Sequence, residues 1–159
     1  MAIKIICSAV IIISCSYIGL KMSNFMRMRV RTLTEMLAAV GHIESCISTV
    51  RMPLSEIYRT LASSKGNVGK FFSELIPGES WEKRLDELPG LSSQDKEMLI
   101  DFSKKLGSFE SERQLDELKL SKSRLTTALG QAKNDMTENS RIYRSISFFA
   151  GVVIAILLI

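Results

Sequence analysis

The stretch from Ser111 to Ile159 constrains the fold most. No proline interrupts it, and Leu115, Leu118, Leu125, Leu129, Ala132 and Met136 fall on one series of alternating three- and four-residue steps. That period lays a single apolar stripe along a helix. Lys122 holds the one polar place in the series, where its stem can lie along the stripe with its charge in water. From Ser145 to the end no side chain carries a formal charge. The pattern predicts one continuous helix that begins in water and ends in lipid. Residues 145–159 cover only about 22 Å at helical rise, so this foot is expected to be shallow, tilted, or dependent on local thinning of the bilayer.

A second charge-free run, Ile5 to Leu20, lies between Lys4 and Lys21. It is short of the ~20 residues of a spanning helix, although flanking lysines can snorkel. A cleaved signal peptide is one reading, and a lipoprotein signal is another, because Ile12-Ile13-Ser14-Cys15 resembles a lipobox. Against both, the apolar run continues past Cys15 through Tyr17, Ile18 and Leu20, and Lys21, Arg27, Arg29 and Arg31 then follow with no acid among them. Such basic clusters mark the cytoplasmic border of a retained anchor. Cys7 and Cys15 are about 12 Å apart along a helix, beyond disulfide reach. With Cys46 alone in the water-facing part, packing roles for all three are expected.

Hydrophobic content of 46%, aromatic content of 7% and three prolines point to helices rather than sheets. The formal charge of +4 would suit nucleic acid, yet the bases concentrate at the membrane border, with Arg141 and Arg144 before the second apolar segment. Residues 32–132 are slightly acidic. Without interleaved stacking aromatics, nucleic-acid binding is not expected, and the border bases are assigned to lipid headgroups.

Along the chain, Leu33, Met36, Leu37, Val40, Ile43, Ile47 and Val50 keep helical spacing, so the first helix is expected to run to about residue 50. Pro53 suits the first turn of a second helix with an apolar face of Leu54, Ile57, Tyr58 and Leu61. Asn67 is the expected N-cap of a third helix burying Val68, Phe71, Phe72, Leu75 and Ile76, ended by Pro77-Gly78. Ser80 would cap a two-turn helix carrying Trp81, Leu85 and Leu88. Ser92 with Asp95 resembles a capping box for a helix carrying Met98, Leu99, Phe102 and Leu106, closed by Gly107. Nothing alternates with period two over strand length.

The search for catalytic groups returns negatives. Gly66-Asn67-Val68-Gly69-Lys70 has the wrong glycine spacing for a phosphate loop, and Phe71 stands where Ser or Thr would bind magnesium. His42 and Cys46 share a helix face but no second ligand pair exists in the sequence. A triad would have to use that single histidine. No enzyme activity, cofactor, metal or small-molecule substrate is expected.

The predicted fold is all-α: an antiparallel hairpin of two long helices with membrane-anchored ends, capped by short helices in one soluble bundle. Each long helix would reach roughly 65 Å. The expected domains are a transmembrane helix over 1–22, a cytoplasmic helical domain over 23–144 and a transmembrane segment over 145–159. The hairpin's far end supplies the candidate partner surface, Arg51, Pro53, Leu54 and Glu56 together with Leu106, Gly107, Glu110, Glu112, Arg113 and Gln114. Acids at the start of the last helix also complement its positive end, so capping competes with docking there. A regulatory coiled coil pairing between chains through Leu115, Leu118, Leu125 and Leu129 is the alternative. It would leave Phe71, Phe72, Trp81 and Phe102 without a role.

Several of these residues carry a family resemblance: Pro53-Leu54 with Glu56, Phe71-Phe72, Leu106-Gly107 followed by Glu110, Glu112 and Gln114, and Tyr143-Arg144-Ser145-Ile146 leading to Gly151. In this order and spacing the whole chain resembles the stage III sporulation protein AB family of endospore-forming bacteria. Glu110 and Ser147 depart from the family's frequent Asp and Gly. The family is similar to the cytoplasmic helical domains of type II secretion and type IV pilus platform proteins. The resemblance implies a membrane component of a channel between mother cell and forespore, on the mother-cell side of the outer forespore membrane. It also implies partnership with the stage III sporulation ATPase (protein AA) and other channel proteins.

Overall fold

A computed structural model describes residues 2–50, 52–75, 80–106 and 113–158. Among these residues every regular element is helical, as the periodicity requires. Helix α1 spans Ala2–Ser45 and passes into a π-helical turn, Cys46–Val50. The short helices are α2 (Leu54–Ala62), α3 (Asn67–Glu74), α4 (Glu82–Leu85) and α5 (Ser93–Leu106), and the last is α6 (Arg113–Leu158). Among the described residues no helix is long and apolar enough to cross a membrane. The chain divides into two compact units, one of Met1–Met28 with Ala132–Ile159 and the other of Arg29–Gln131.

In the Arg29–Gln131 unit, Leu33, Met36, Val40 and Ile43 bury the face of α1 that the spacing predicted, and Leu118, Leu125 and Leu129 bury the stripe of α6. Within this unit the two segments run antiparallel. Glu44 meets Lys122, and Val40 meets Leu125 around a hollow shared with Leu99 and Phe102. Lys122 does not simply leave its charge in water. Its Nζ donates to Glu44 Oε2 at 2.7 Å, a partner 78 positions away that no local pattern reveals. Leu118, Leu125 and Leu129 of α6 are thus packed within their own chain.

Trp81 centres the rest of the core. Its ring lies 5.4 Å from Phe71, 5.5 Å from Phe72 and 5.6 Å from Phe102, centroid to centroid. The Phe71 and Phe72 pairs are edge-to-face and the Phe102 pair is tilted; edge-to-face pairs add about 0.5–1.5 kcal/mol each beyond area burial. The indole Nε1 donates to the Tyr58 hydroxyl at 3.2 Å, so the one polar atom of the ring is satisfied. Burial pushes the Tyr58 phenol above its ordinary range, and the bond from Trp81 offsets part of that rise. These aromatics, which a bare coiled coil would leave idle, build the body of the unit.

The helix ends differ from the sequence reading in instructive ways. Pro53 is the N-cap of α2 rather than a first-turn residue. Gly66, not Asn67, caps α3, with a φ of 118° that disfavours any side chain. The cap is completed from α1, where Glu35 Oε2 accepts from Val68 N at 3.4 Å. A Cβ on Gly69 would overlap the Ser64 carbonyl oxygen, so this glycine is a packing residue. The glycines that faintly suggested a phosphate loop serve a tight turn. The helix expected after Ser80 has one turn only, although Trp81, Leu85 and Leu88 are all buried as expected. Ile76 and Pro77-Gly78 lie outside the described residues.

In the other unit, α1 and α6 approach closely through small residues. A Cβ on Gly19 would lie 2.8 Å from that of Ser147, and a Cβ on Gly151 would lie 3.1 Å from that of Cys15. The pairs 19 with 147 and 15 with 151 run in opposite directions along the two helices, and each helix contributes two small residues four apart. Large apolar side chains face outward instead: Ile13 is 68% exposed and Phe149 65%.

Candidate interaction surface

The residues predicted for the partner surface separate into three groups. Pro53 caps α2, and Leu54 and Glu56 lie in its first turn, where the amides of Glu56 and Ile57 donate to the Pro53 carbonyl at 3.0 and 3.3 Å. Glu56 is exposed and Leu54 half-buried. Met52 N donates to Cys46 O at 3.4 Å and joins this turn to the π-helical end of α1. Leu106, by contrast, is buried at the end of α5 and acts as a core residue. Arg51, Gly107, Glu110 and Glu112 lie outside the described residues, as do the side chains of Arg113 and Gln114 in the first turn of α6. Among the described residues no hydrogen bond or ion pair joins the α2 start to Leu106.

The basic residues assigned to the membrane border also separate. Lys21 is exposed, with its ammonium 5.5 Å from the Tyr17 ring centre, and Arg27 is exposed. Arg31 is spoken for by Glu35, one turn on, at 3.0 Å. The side chains of Arg141 and Arg144 are outside the described set. Arg29 has a different task. Its Nε donates to Asp95 Oδ2 at 2.8 Å and its Nη2 to Oδ1 at 3.0 Å, so it faces the bundle rather than lipid.

That pair sits at the best-built polar cluster of the unit. Asp95 is buried, with side-chain exposure of 1%. Its carboxylate also accepts from Ser92 N at 3.0 Å, while Asp95 N donates to Ser92 Oγ at 3.2 Å, which is the reciprocal box that Ser92 and Asp95 suggested. Burial pushes the Asp95 carboxyl up, but the bonds from Arg29 and Ser92 outweigh it and hold the group below the usual carboxylate range. One turn from Arg29, buried Thr32 donates to the Pro89 carbonyl at 2.8 Å. Together these contacts fasten the start of α5 to α1. The capping box was legible from three-residue spacing, whereas Arg29 and Thr32 lie too far away in sequence to be recognised.

Two openings flank the α3–α5 region. A groove of ≈ 240 Å³ beside α3 and α4 is lined by Lys70, Glu74, Arg84 and Glu87 over Phe71 and Leu88. Its charges satisfy one another, with Arg84 Nη1 3.0 Å from Glu74 Oε2. A cleft of ≈ 380 Å³ opens beside the Arg29–Asp95 pair, between α1, α5 and α6. His42 Nε2 lies 3.5 Å from Cys46 Sγ, and among the described residues no three side chains are grouped to hold a metal ion.

Comparison with known proteins adds the remaining finding. The family profile described as stage III sporulation protein AB matches residues 4–159. Stage III sporulation protein AB of Bacillus subtilis (strain 168) is 23% identical over 169 aligned positions, which take in 98% of this chain and 99% of that protein. No solved structure matches the chain.

Proposed function

The chain belongs to the stage III sporulation protein AB family, and from that premise we propose that it serves sporulation as a non-enzymatic platform anchored in the membrane by both ends. In this reading α1 and α6 are the legs of one antiparallel hairpin, and the Arg29–Gln131 unit stands in the mother-cell cytoplasm at the outer forespore membrane. There it docks the secretion-type stage III sporulation ATPase (protein AA) beside the other proteins of the channel. Its partners are proteins and membrane lipid, with no nucleic acid, small-molecule substrate or cofactor.

The observation that carries the anchoring is the seam between the two charge-free segments. Lipid tails are as apolar as leucine, so helices in a bilayer associate through close backbone approach at small residues. Gly19 against Ser147 and Gly151 against Cys15 supply that approach. The outward row of Ile13, Ile18, Phe149 and Ile156 would cost about 25 cal/mol per Å² of apolar surface left in water, a cost that acyl chains remove. Because each foot is short, tilt or local bilayer thinning accompanies insertion. Exposed Lys21 and Arg27, with Arg141 and Arg144 on α6, then favour the cytoplasmic side for the helical unit.

Two measurements test this reading. The full chain should stay with membranes through alkaline carbonate washing, and release into the supernatant would overturn the double anchor. The solubilised chain should capture the ATPase in a pull-down, with Glu56→Arg and Arg113→Glu weakening capture. Failure of the unaltered chain to bind would overturn the docking role, and capture indifferent to both reversals would overturn the surface at the α2 and α6 starts.

A further inference from the structure

The whole formal charge of +4 falls in one of the two units. Met1–Met28 with Ala132–Ile159 carries six basic residues against two acids, while Arg29–Gln131 is balanced. No acid precedes Glu35 in the chain. Of the bases that follow the first apolar segment, Arg29 and Arg31 are taken by Asp95 and Glu35. Lys21 and Arg27 are exposed, and among the described residues no carboxylate pairs with either.

These two bases stand on apolar ground. Tyr17, Lys21, Phe25 and Met28 follow one another at steps of four, four and three, which sets them on a single face of α1. Gly19, which meets Ser147, and fully buried Ser23 mark the opposite face. Phe25, Met28 and neighbouring Met22 are exposed in spite of their apolar side chains, and the Lys21 ammonium is held 5.5 Å from the Tyr17 ring centre. Helix α6 shows the same feature alongside. With 19 opposite 147 and 15 opposite 151, exposed Ile142 and Tyr143 come to the level of residues 23–24. A belt of exposed apolar side chains thus continues the row of Ile13 and Ile18 about two turns beyond the charge-free run, and bases are interleaved with it.

We infer that this face of α1, with Arg27 at its edge, is a binding surface for anionic phospholipid headgroups. The inference rests on the membrane anchoring proposed above and names the lipid class that the anchor selects. From Met22 to Met28 the belt rises about 9 Å, close to the ~5–8 Å of headgroup layer that lies outside the hydrocarbon core on each side. Apolar side chains at that depth reach the boundary between headgroups and acyl chains, and cations set between them meet phosphate. A lysine resting on a tyrosine face keeps electrostatic stabilisation where water thins out, and a guanidinium matches phosphate through two parallel N–H donors. Zwitterionic lipids carry the same phosphate with a compensating ammonium, so the net attraction comes from lipids of negative charge. A protein partner is the poorer occupant, because the belt is continuous with the row of Ile13 and Ile18 that acyl chains cover.

The test places the full chain in nanodiscs of phosphatidylcholine and phosphatidylglycerol in equal parts. Electron spin resonance of spin-labelled lipids then reads which of the two is held at the protein surface. Phosphatidylglycerol should be favoured severalfold at low salt and less at high salt. Lys21→Gln and Arg27→Gln should each reduce the preference by up to about fivefold, while Arg31→Gln, whose arginine is taken by Glu35, should leave it unchanged. Equal association of the two lipids with the unaltered chain would overturn the headgroup preference and leave the anchoring intact. A preference indifferent to both Lys21→Gln and Arg27→Gln would overturn the assignment to this face, and a chain that does not enter nanodiscs would overturn the anchoring as well. Depth is read separately: in a Trp81→Phe background, Phe25→Trp should emit to the blue and be quenched by lipids brominated high on the acyl chain. An unquenched, water-exposed indole there would overturn the belt.

Discussion

Arg29 grips Asp95 with both arms of its guanidinium, at 2.8 and 3.0 Å, across 66 positions of sequence. The pair decides where α5 starts relative to α1, because the same carboxylate caps α5 through Ser92. A buried ion pair adds little over a well-packed apolar pair, but removing one member strands the other. Asp95→Asn, and separately Arg29→Ala, should each lower stability by about 3 kcal/mol, read as a fall in the urea midpoint of the detergent-solubilised chain.

The same pair predicts a pH dependence. The folded Asp95 carboxyl titrates below its ordinary range, so the unfolded chain binds the proton more readily. Its contribution is fully present above the ordinary carboxylate value near about pH 4 and is lost as the pH falls through the lower, folded value. Thermal melts of the wild type should therefore drop more steeply on acidification below about pH 4 than melts of Asp95→Asn. Parallel curves would remove Asp95 as the source.

Two glycines should respond to alanine with opposite signs. At Gly69 the new methyl would run into the Ser64 carbonyl, an overlap that backbone must yield to, and a loss above about 2 kcal/mol is expected. At Gly130, exposed within α6, a Cβ would meet nothing within 4 Å. Gly130→Ala should stabilise by about 0.5–1 kcal/mol by restricting the unfolded chain. Equilibrium unfolding of the two variants side by side checks both.

Trp81 is the largest fully buried side chain of the helical unit. Trp81→Ala should cost about 3–5 kcal/mol through lost contacts and the cavity left behind. Trp81→Phe keeps most of the ring packing but leaves the Tyr58 hydroxyl without its donor, at about 1–2 kcal/mol. Near-ultraviolet circular dichroism with urea titration separates the two, since the aromatic signal should survive Trp81→Phe and collapse with Trp81→Ala.

The small-residue seam is open to a covalent test. A Cβ on residue 151 would lie 3.1 Å from that of Cys15, close to the ~3.5–4.5 Å of a disulfide. With Cys7 and Cys46 changed to serine, Gly151→Cys should crosslink to native Cys15 within one chain on mild oxidation. Intact mass after alkylation reads the outcome, and a crosslink found only between chains would show that the seam belongs to separate molecules.

Much of the fold was legible because its signals are local. Helix period in Leu33, Met36, Val40 and Ile43 fixed the buried face of α1, and the three-residue spacing of Ser92 and Asp95 announced the start of α5. Boundaries were less legible where a distant residue completes a cap. Asn67 has the chemistry of an N-cap, yet Glu35 from α1 takes that role for α3, and Gly66 alone tolerates the backbone angle this requires. Of the candidate surface, Glu56 is exposed, while Leu106 is drawn into the core by neighbours that no local window includes.

By itself the sequence determined that this chain is helical, that its two ends are apolar and its middle amphipathic, and that it belongs with the stage III sporulation proteins. Period, charge placement and order along the chain are one-dimensional properties. Only the tertiary structure decided which charges are committed to the fold and which remain available. Arg29 and Lys122 looked like solvent-facing or lipid-facing bases until folding brought Asp95 and Glu44 to them. Arg124 is of the same residue type as Arg29 and yet keeps its charge without a carboxylate partner among the described residues. The physical reason is that a charge's worth depends on what stands within a few ångströms of it, and that distance is set by packing across dozens of residues rather than by position along the chain.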